Sequence, residues 1–220
     1  DLHRRRHSFP TRRSSDLIAR VLTPFHALPY TWPMTTIIAC QTPAGVVLGA
    51  DSQITDGDRI IISPTTPKIV KIGKYFLGVR GEARPGDILM YDWKPPLYDG
   101  TDPVKFMGKK VIPSIIKAFK LGEYDFNRDG AMFGFLLVFA GNVFEIGSDM
   151  SISQNENGIY AIGSGSDYAL GVLTYALTFE HGIEAATIAS VTDAIHSALT
   201  IAAKYDINTA PPFQIEVQRV

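Results

Sequence analysis

Strand-like and helix-like periodicities succeed one another along this sequence in blocks, and their order restricts the architectures open to it. Thr36 to Gln41 alternates and is rich in β-branched residues, while Val46 to Ala50 is a short apolar run. Thr42-Pro43-Ala44-Gly45 between them is a turn signal, so the pair predicts a β-hairpin. Ile60 to Ser63 reads as a further short strand. Lys68 to Ile72 and Tyr75 to Val79, joined by Gly73-Lys74, predict a second hairpin of the two-residue-loop kind. From Asp102 to Lys120 the apolar residues Val104, Met107, Val111, Ile115 and Phe119 recur at helical intervals despite Pro113. Strand character returns at Ala131 to Ala140 and Asn142 to Ile146, on either side of Gly141. Two helical stretches follow, Asp167 to Glu180 and Ile183 to Tyr205, broken at His181-Gly182, with Ser164 or Ser166 as cap candidates. Phe213 to Val217 then reads as a closing strand. Strands, a helix, strands, helices and a final strand do not suit a parallel βαβ array. They predict two sheets with helices packed outside, an α+β chain forming one domain.

Composition excludes several kinds of function. With 45% apolar residues the chain is not disordered, and a formal net charge of −1 gives no electrostatic basis for nucleic acid or an anionic membrane as the main partner. No apolar run approaches the ~18 residues of a membrane helix; the longest candidate, Ala131 to Ala140, contains Gly134. Cys40, the one cysteine, forms no internal disulfide and builds no cysteine-rich metal site, which favours a reducing compartment and a cytoplasmic location.

Residues 1–34 differ in kind from the rest. They hold six arginines, two acids, four prolines and none of the 19 glycines, and without them the chain has a charge near −5. An Arg- and Ser-rich leader suits a transit peptide, a pro-segment or a basic arm. A secretory signal is disfavoured, because Arg20, Pro24, His26 and Pro29 interrupt Ile18 to Tyr30. Residues 8–17, Ser8 to Leu17, also resemble the conceptual translation of a sequencing adapter. Residues 1–34 are therefore expected to be an artefactual or removed leader, with Met34 as initiator and 35–220 as the working domain.

Thr35 follows Met34, and methionine aminopeptidase removes an initiator that precedes so small a residue. The exposed threonine would carry a hydroxyl and a free α-amine together. A threonine hydroxyl is a weak nucleophile that needs a base within hydrogen-bond reach. An α-amine titrating near ~7.7–8.0 is such a base, so one residue supplies both functions.

Thr35-Thr36-Ile37-Ile38-Ala39-Cys40, followed by Gly45 to Ser52, resembles the start of a mature proteasome β-subunit and is similar to the bacterial peptidase HslV. Both are N-terminal-nucleophile hydrolases. Asp51 stands sixteen residues after Thr35, at the family's spacing, and Lys68 in Pro67-Lys68-Ile69 falls one residue beyond the proteasome spacing. Gly78-Val79-Arg80-Gly81-Glu82-Ala83 resembles the strand-to-helix turn of the family. Gly163-Ser164-Gly165 within Ala161 to Leu170 is similar to its Gly-Ser-Gly signature, and Asp206 to Thr209 to its Asp-x-x-Ser element.

The resemblance implies a four-layer αββα fold and a threonine endopeptidase that cuts polypeptides through an acyl-enzyme on Thr35. It implies that Lys68 lowers the proton affinities of the hydroxyl and amine, and that Asp51 holds Lys68 ionised. Ser164, Asp206 and Thr209 would orient the amine and a water, while the Gly81 N–H would stabilise the oxyanion. Val79 and Ala83 would wall the pocket for the residue before the scissile bond. A homo-oligomeric ring acting with an ATP-dependent unfoldase is implied as well, with no cofactor and no metal. Two other outcomes fit the residues: a catalytically inactive structural ring subunit, and an amidase acting on small amides.

Other motifs default to ordinary roles. Gly163-x-Gly165 lacks the remainder of a phosphate loop, Asp125-x-Asn127-x-Asp129-Gly130 lacks the glutamate of a calcium loop at Leu136, and His181 and His196 have no paired ligands. Three departures from the family stand out. Met34 replaces the glycine that usually precedes the threonine, Pro85 to Gly100 is a poor helix where the family has a long one, and Thr209-Ala210 replaces the usual Ser-Gly.

Overall fold

The computed structural model describes residues 35–219, apart from 57, 58, 64 and 181. The expectations for residues 1–34 and for His181 lie outside the described residues.

Eleven strands among the described residues run β1 Thr36–Thr42, β2 Gly45–Ala50, β3 Gln53–Asp56, β4 Arg59–Ile62, β5 Ile69–Ile72, β6 Tyr75–Gly81, β7 Phe133–Phe139, β8 Asn142–Ile146, β9 Ile152–Ser153, β10 Ile159–Gly163 and β11 Gln214–Arg219. One sheet has the order β10-β1-β2-β11 and a second β5-β6-β7-β8-β9, with β3 and β4 forming a separate hairpin. Every pairing is antiparallel.

The period-two alternation of β1 decides the layering. Ile37 and Ala39 join Leu48, Ile69, Leu136 and Ile162 in the core between the sheets. Ile38 and Cys40 point the other way, into a core shared with Leu173, Ile195 and Leu199 of the C-terminal helices. Both faces of β1 are thus buried, and its middle, Ile37 to Cys40, is a continuous apolar run. The outer face of the second sheet packs Phe135, Leu137 and Phe144 under Leu89, Ile115 and Phe119. The layers are helices, sheet, sheet, helices. Each fully buried aliphatic or aromatic side chain contributes about 1.5–3 kcal/mol to this assembly.

The helices are α1 Ala83–Asp87, α2 Pro103–Phe106, α3 Ile112–Leu121, α4 Ser166–Thr174 and α5 Ile188–Tyr205. Pro113 sits inside the stretch expected to be helical. A π-helical turn, Met107–Val111, joins α2 to α3 just before it. The wider turn carries the chain past a residue that lacks an N–H and whose ring crowds the carbonyl four residues back. A second π-helical turn, Ile88–Asp92, extends α1, after which the chain is non-helical through Asp99.

Several expectations are corrected. The predicted strand at Ile60 to Ser63 is β4, and it pairs with β3, which went unpredicted. Strand β10 also went unpredicted. The second C-terminal helix begins at Ile188, not Ile183, because Thr187 and Ser190 form a reciprocal capping box there. Neither Ser164 nor Ser166 caps α4: Gly165 occupies that position without a side-chain bond, and the Ser164 hydroxyl is used elsewhere.

Candidate active site

Antiparallel pairing brings distant chain segments to one end of the sandwich. Thr36 pairs with Gly163 across β1 and β10, Ile37 with Ala50 across β1 and β2, and Gln214 with Ala50 across β11 and β2. Thr35, Asp51, Ser164 and the loop before β11 therefore gather at that end of the first sheet. In the second sheet Ile69 pairs with Gly78, so Lys68 and the last residues of β6 meet.

Asp51 lies at the centre and is buried. Its Oδ1 accepts from Thr35 Oγ1 at 2.8 Å, from the Thr36 N–H at 2.8 Å and from Lys68 Nζ at 2.7 Å. Its Oδ2 accepts from the Gln53 N–H at 2.9 Å and the Ala210 N–H at 3.3 Å. Lys68 Nζ also donates to the Gln53 carbonyl at 2.5 Å. A buried carboxylate with this many donors is fully partnered, which offsets the cost of withdrawing it from water.

Burial lowers the Lys68 pKa from 10.5, opposed by the charge of Asp51 and its hydrogen bond, and more weakly by Asp206. Desolvation outweighs the carboxylate, so Lys68 releases its proton more readily than a free lysine does. The sequence expectation that Asp51 holds Lys68 ionised captures only the opposing part.

A second polar cluster stands beside the first. Asp206 Oδ2 accepts from Ser164 Oγ at 2.7 Å and from Thr209 Oγ1 at 2.6 Å, and Thr209 Oγ1 is 2.6 Å from Thr36 Oγ1. The Ser164 N–H donates to the Thr35 carbonyl at 2.9 Å. The substitution of threonine for serine at 209 keeps the hydroxyl in use. Two glycines permit this crowding. A Cβ on Gly165 would come within 2.3 Å of Thr36 Oγ1 and 2.9 Å of Thr209 Oγ1, and one on Gly163, at φ +105°, would overlap the Thr35 carbonyl.

Thr35, Lys68, Val79, Gly81 and Ala83 line one cleft of about 500 Å³, with Met90 among its apolar walls. Strand alternation sets the direction of the Gly81 N–H. The Val79 N–H donates to Lys68 on the β5 side, and the Glu82 N–H donates to Met132 on the β7 side. The Gly81 N–H thus faces the β5 side, past the first residue of that strand, where Lys68 stands. Gly81 has φ +87°, and a Cβ there would lie 2.1 Å from the Met132 carbonyl, so no other residue fits.

Each of the nine residues singled out in the sequence falls in this region: six around the cleft and Asp51, and Ser164, Asp206 and Thr209 in the adjoining cluster. Thr36, Gln53, Ala210 and Glu82 were not expected. Three of them contribute backbone N–H groups, which every residue but proline carries; the Thr35-Thr36 doublet was the one visible signal. Among the described residues no group of three His, Cys, Asp or Glu is placed to hold a metal ion, and no helix is long and apolar enough to cross a membrane. The calcium-loop mimic is a polar turn in which the Asn127 N–H donates to Asp125.

No protein-family model matches the chain. Solved structures do. Thiobacillus denitrificans BPH superposes with a TM-score of 0.65 at 20% identity, covering 84% of this chain and 98% of that one. The same protein in complex with epoxomicin gives 0.63 at 19% identity, covering 84% and 98%. Eukaryotic HslV from Trypanosoma brucei gives 0.59 at 23% identity, covering 84% and 100%. The chain has the four-layer αββα fold of the N-terminal-nucleophile hydrolases.

Proposed function

We propose that the chain is a threonine endopeptidase that hydrolyses polypeptides through an acyl-enzyme on Thr35. The observation that carries this reading is the sharing of Asp51 Oδ1 by Thr35 Oγ1 and Lys68 Nζ at the edge of the cleft that also holds Gly81. The fold of HslV, and of a protein that was solved bound to epoxomicin, supports it.

The chemistry requires the Met34–Thr35 peptide bond to be cut, because an amide nitrogen has no basic lone pair. Thr35 Oγ then attacks the scissile carbonyl carbon as its proton passes to the α-amine. The carbonyl oxygen becomes an oxyanion beside the Gly81 N–H, a donor whose counterpart elsewhere is worth about 2.7–4 kcal/mol. Collapse breaks the C–N bond, and the α-ammonium returns the proton to the departing amine. An ester on Thr35 remains. Water, deprotonated by the same amine, hydrolyses it. Lys68 supplies positive charge near Oγ, Asp51 fixes Lys68, and the Asp206 cluster holds Ser164 against the Thr35 carbonyl.

Val79, Ala83 and Met90 give the cleft apolar walls, suited to an apolar residue before the scissile bond. We assign the working form to a homo-oligomeric ring, served by an ATP-dependent unfoldase where the substrate is folded, and to the cytoplasm; the likeness to HslV motivates these assignments. Intact mass and N-terminal sequencing are expected to find Thr35 first, with Thr35→Ala abolishing hydrolysis of fluorogenic peptides. Undiminished hydrolysis by Thr35→Ala would overturn the reading.

A further inference from the structure

Glu82 follows the proposed oxyanion donor, yet its carboxylate is committed away from the cleft. Oε1 accepts from the Met132 N–H at 2.9 Å; Oε2 accepts from Tyr124 Oη at 3.0 Å and from Arg128 Nη2. Its own N–H donates to the Met132 carbonyl at 3.0 Å. Backbone and side chain of one residue therefore grip both polar groups of residue 132.

This arrangement departs from an ordinary ladder in a specific way. At a hydrogen-bonded antiparallel pair the two residues exchange both N–H···O=C bonds. Here Met132 receives the N–H of Glu82 in the usual manner but gives its own to the Glu82 side chain. The carboxylate takes the place that the Glu82 carbonyl would have filled. That carbonyl is released, and the chain leaves the sheet at once to begin α1 at Ala83. Gly81 is left between two fixed points, the Arg80–Gly134 pair on one side and the Glu82–Met132 grip on the other.

Oε2 ties the grip to the core. Tyr124 packs edge-to-face on Phe119 and Phe133, with ring centroids 5.5 and 5.6 Å away, and Phe133 is the partner of Gly81 across β6 and β7. The turn carrying the Gly81 N–H is thus held by a buried aromatic cluster through one glutamate.

We infer that Glu82 is a positioning residue that sets the direction of the Gly81 N–H through Met132. This rests on the proposal that Thr35 is the nucleophile and Gly81 the oxyanion donor. A donor displaced by about 1 Å costs roughly 100-fold in rate, and its loss about 100- to 1000-fold. Its effect falls on the tetrahedral species and not on bound substrate, so it belongs in kcat and not in KM.

The test uses the full chain with Thr35 exposed, and the variants Glu82→Ala, Glu82→Asp, Glu82→Gln and Arg128→Ala. Asp withdraws the oxygen from Met132 by one methylene, while Gln keeps an acceptor there and gives up the charge facing Arg128. Glu82→Ala and Glu82→Asp are expected to lose at least tenfold in kcat with KM within threefold of wild type. Glu82→Gln and Arg128→Ala are expected to keep kcat within threefold. A peptide aldehyde, which forms a tetrahedral adduct on Thr35, should bind at least tenfold more weakly to Glu82→Asp; the matching peptide alcohol should bind unchanged. Wild-type kcat in Glu82→Asp, or equal losses in all four variants, would overturn the positioning role while leaving the nucleophile reading intact. A wild-type protein with no turnover and no preference for aldehyde over alcohol overturns both.

Discussion

Lys68 and Thr35 meet on a single oxygen atom: Nζ and Oγ1 donate to Oδ1 of Asp51 at 2.7 and 2.8 Å. The carboxylate sets the separation between cation and hydroxyl, and the two backbone donors on its other oxygen prevent it from turning.

Asp51→Asn is expected to be severe in two respects. An amide placed there turns an N–H₂ toward groups that are themselves donors, and Lys68 loses its counter-charge. Breaking a buried pair this way costs about 3–5 kcal/mol in stability. Disturbing the nucleophile's geometry costs at least about 100-fold in kcat. Chemical denaturation and peptide hydrolysis measure the two separately.

Lys68 gives a pH signature. It is charged below its pKa, and burial moves that pKa down from 10.5. Activity that depends on the cation should therefore fall as pH rises, along a limb lying below 10.5. Lys68→Arg, whose guanidinium stays charged, should move that limb upward. Linkage gives the opposite sign for stability. Between the lowered pKa and 10.5 the unfolded chain binds more protons than the folded one, so the contribution of Lys68 to stability increases with pH across that window. The difference between wild type and Lys68→Met in denaturation measured across pH isolates it.

Gly165→Ala should separate folding from activity. The added methyl meets Thr36 Oγ1 at 2.3 Å, Thr209 Oγ1 at 2.9 Å and Asp206 Oδ2 at 3.1 Å, all within the hydroxyl cluster. The variant should fold, lose about 1–3 kcal/mol of stability as those groups are forced apart, and lose most of its kcat. Retention of full peptide hydrolysis would show that the cluster does not support Thr35.

Ala83→Phe narrows the cleft without touching Asp51 or Lys68. KM should rise for peptides with a large apolar residue before the scissile bond. One misplaced methylene is worth about 1–3 kcal/mol in such pockets, whereas peptides with a small residue there do not reach the added ring and should change by about threefold or less. A panel of fluorogenic peptides differing at that position measures it.

Cys40 should resist thiol reagents until the protein unfolds. It is wholly buried in the core under the C-terminal helices, and burial pushes its thiol far up in pKa, away from the reactive thiolate. Labelling with and without denaturant decides this.

What could be read from the sequence followed from how each signal is encoded. Strands β1, β2, β5 and β6 announce themselves by alternation and glycine-bearing turns, and the layer order follows from their grouping. Strand β10 escaped because Ile159–Gly163 is short and was absorbed into the glycine-serine motif beside it. β3 was hidden for a related reason: Gln53–Asp56 is four residues with little apolar pattern, held by pairing with β4. At the site, Thr35, Asp51 and Lys68 stood out through the family-like segments that carry them, since each alone reads as an ordinary strand or turn residue. The N–H groups of Gln53 and Ala210 carry no such mark. Glu82 was invisible for another reason, since its partners Tyr124, Arg128 and Met132 lie 42, 46 and 50 residues away.

Asp51 follows a strand of one sheet and Lys68 precedes a strand of the other, so their bond joins the two sheets at one end of the sandwich. Neither sheet contains the pair by itself. On the proposed reading, a chain in which only one sheet has formed lacks this pair and so lacks the group that would activate Thr35. Under the proposed mechanism, hydrolytic power would therefore wait on the docking of the two sheets.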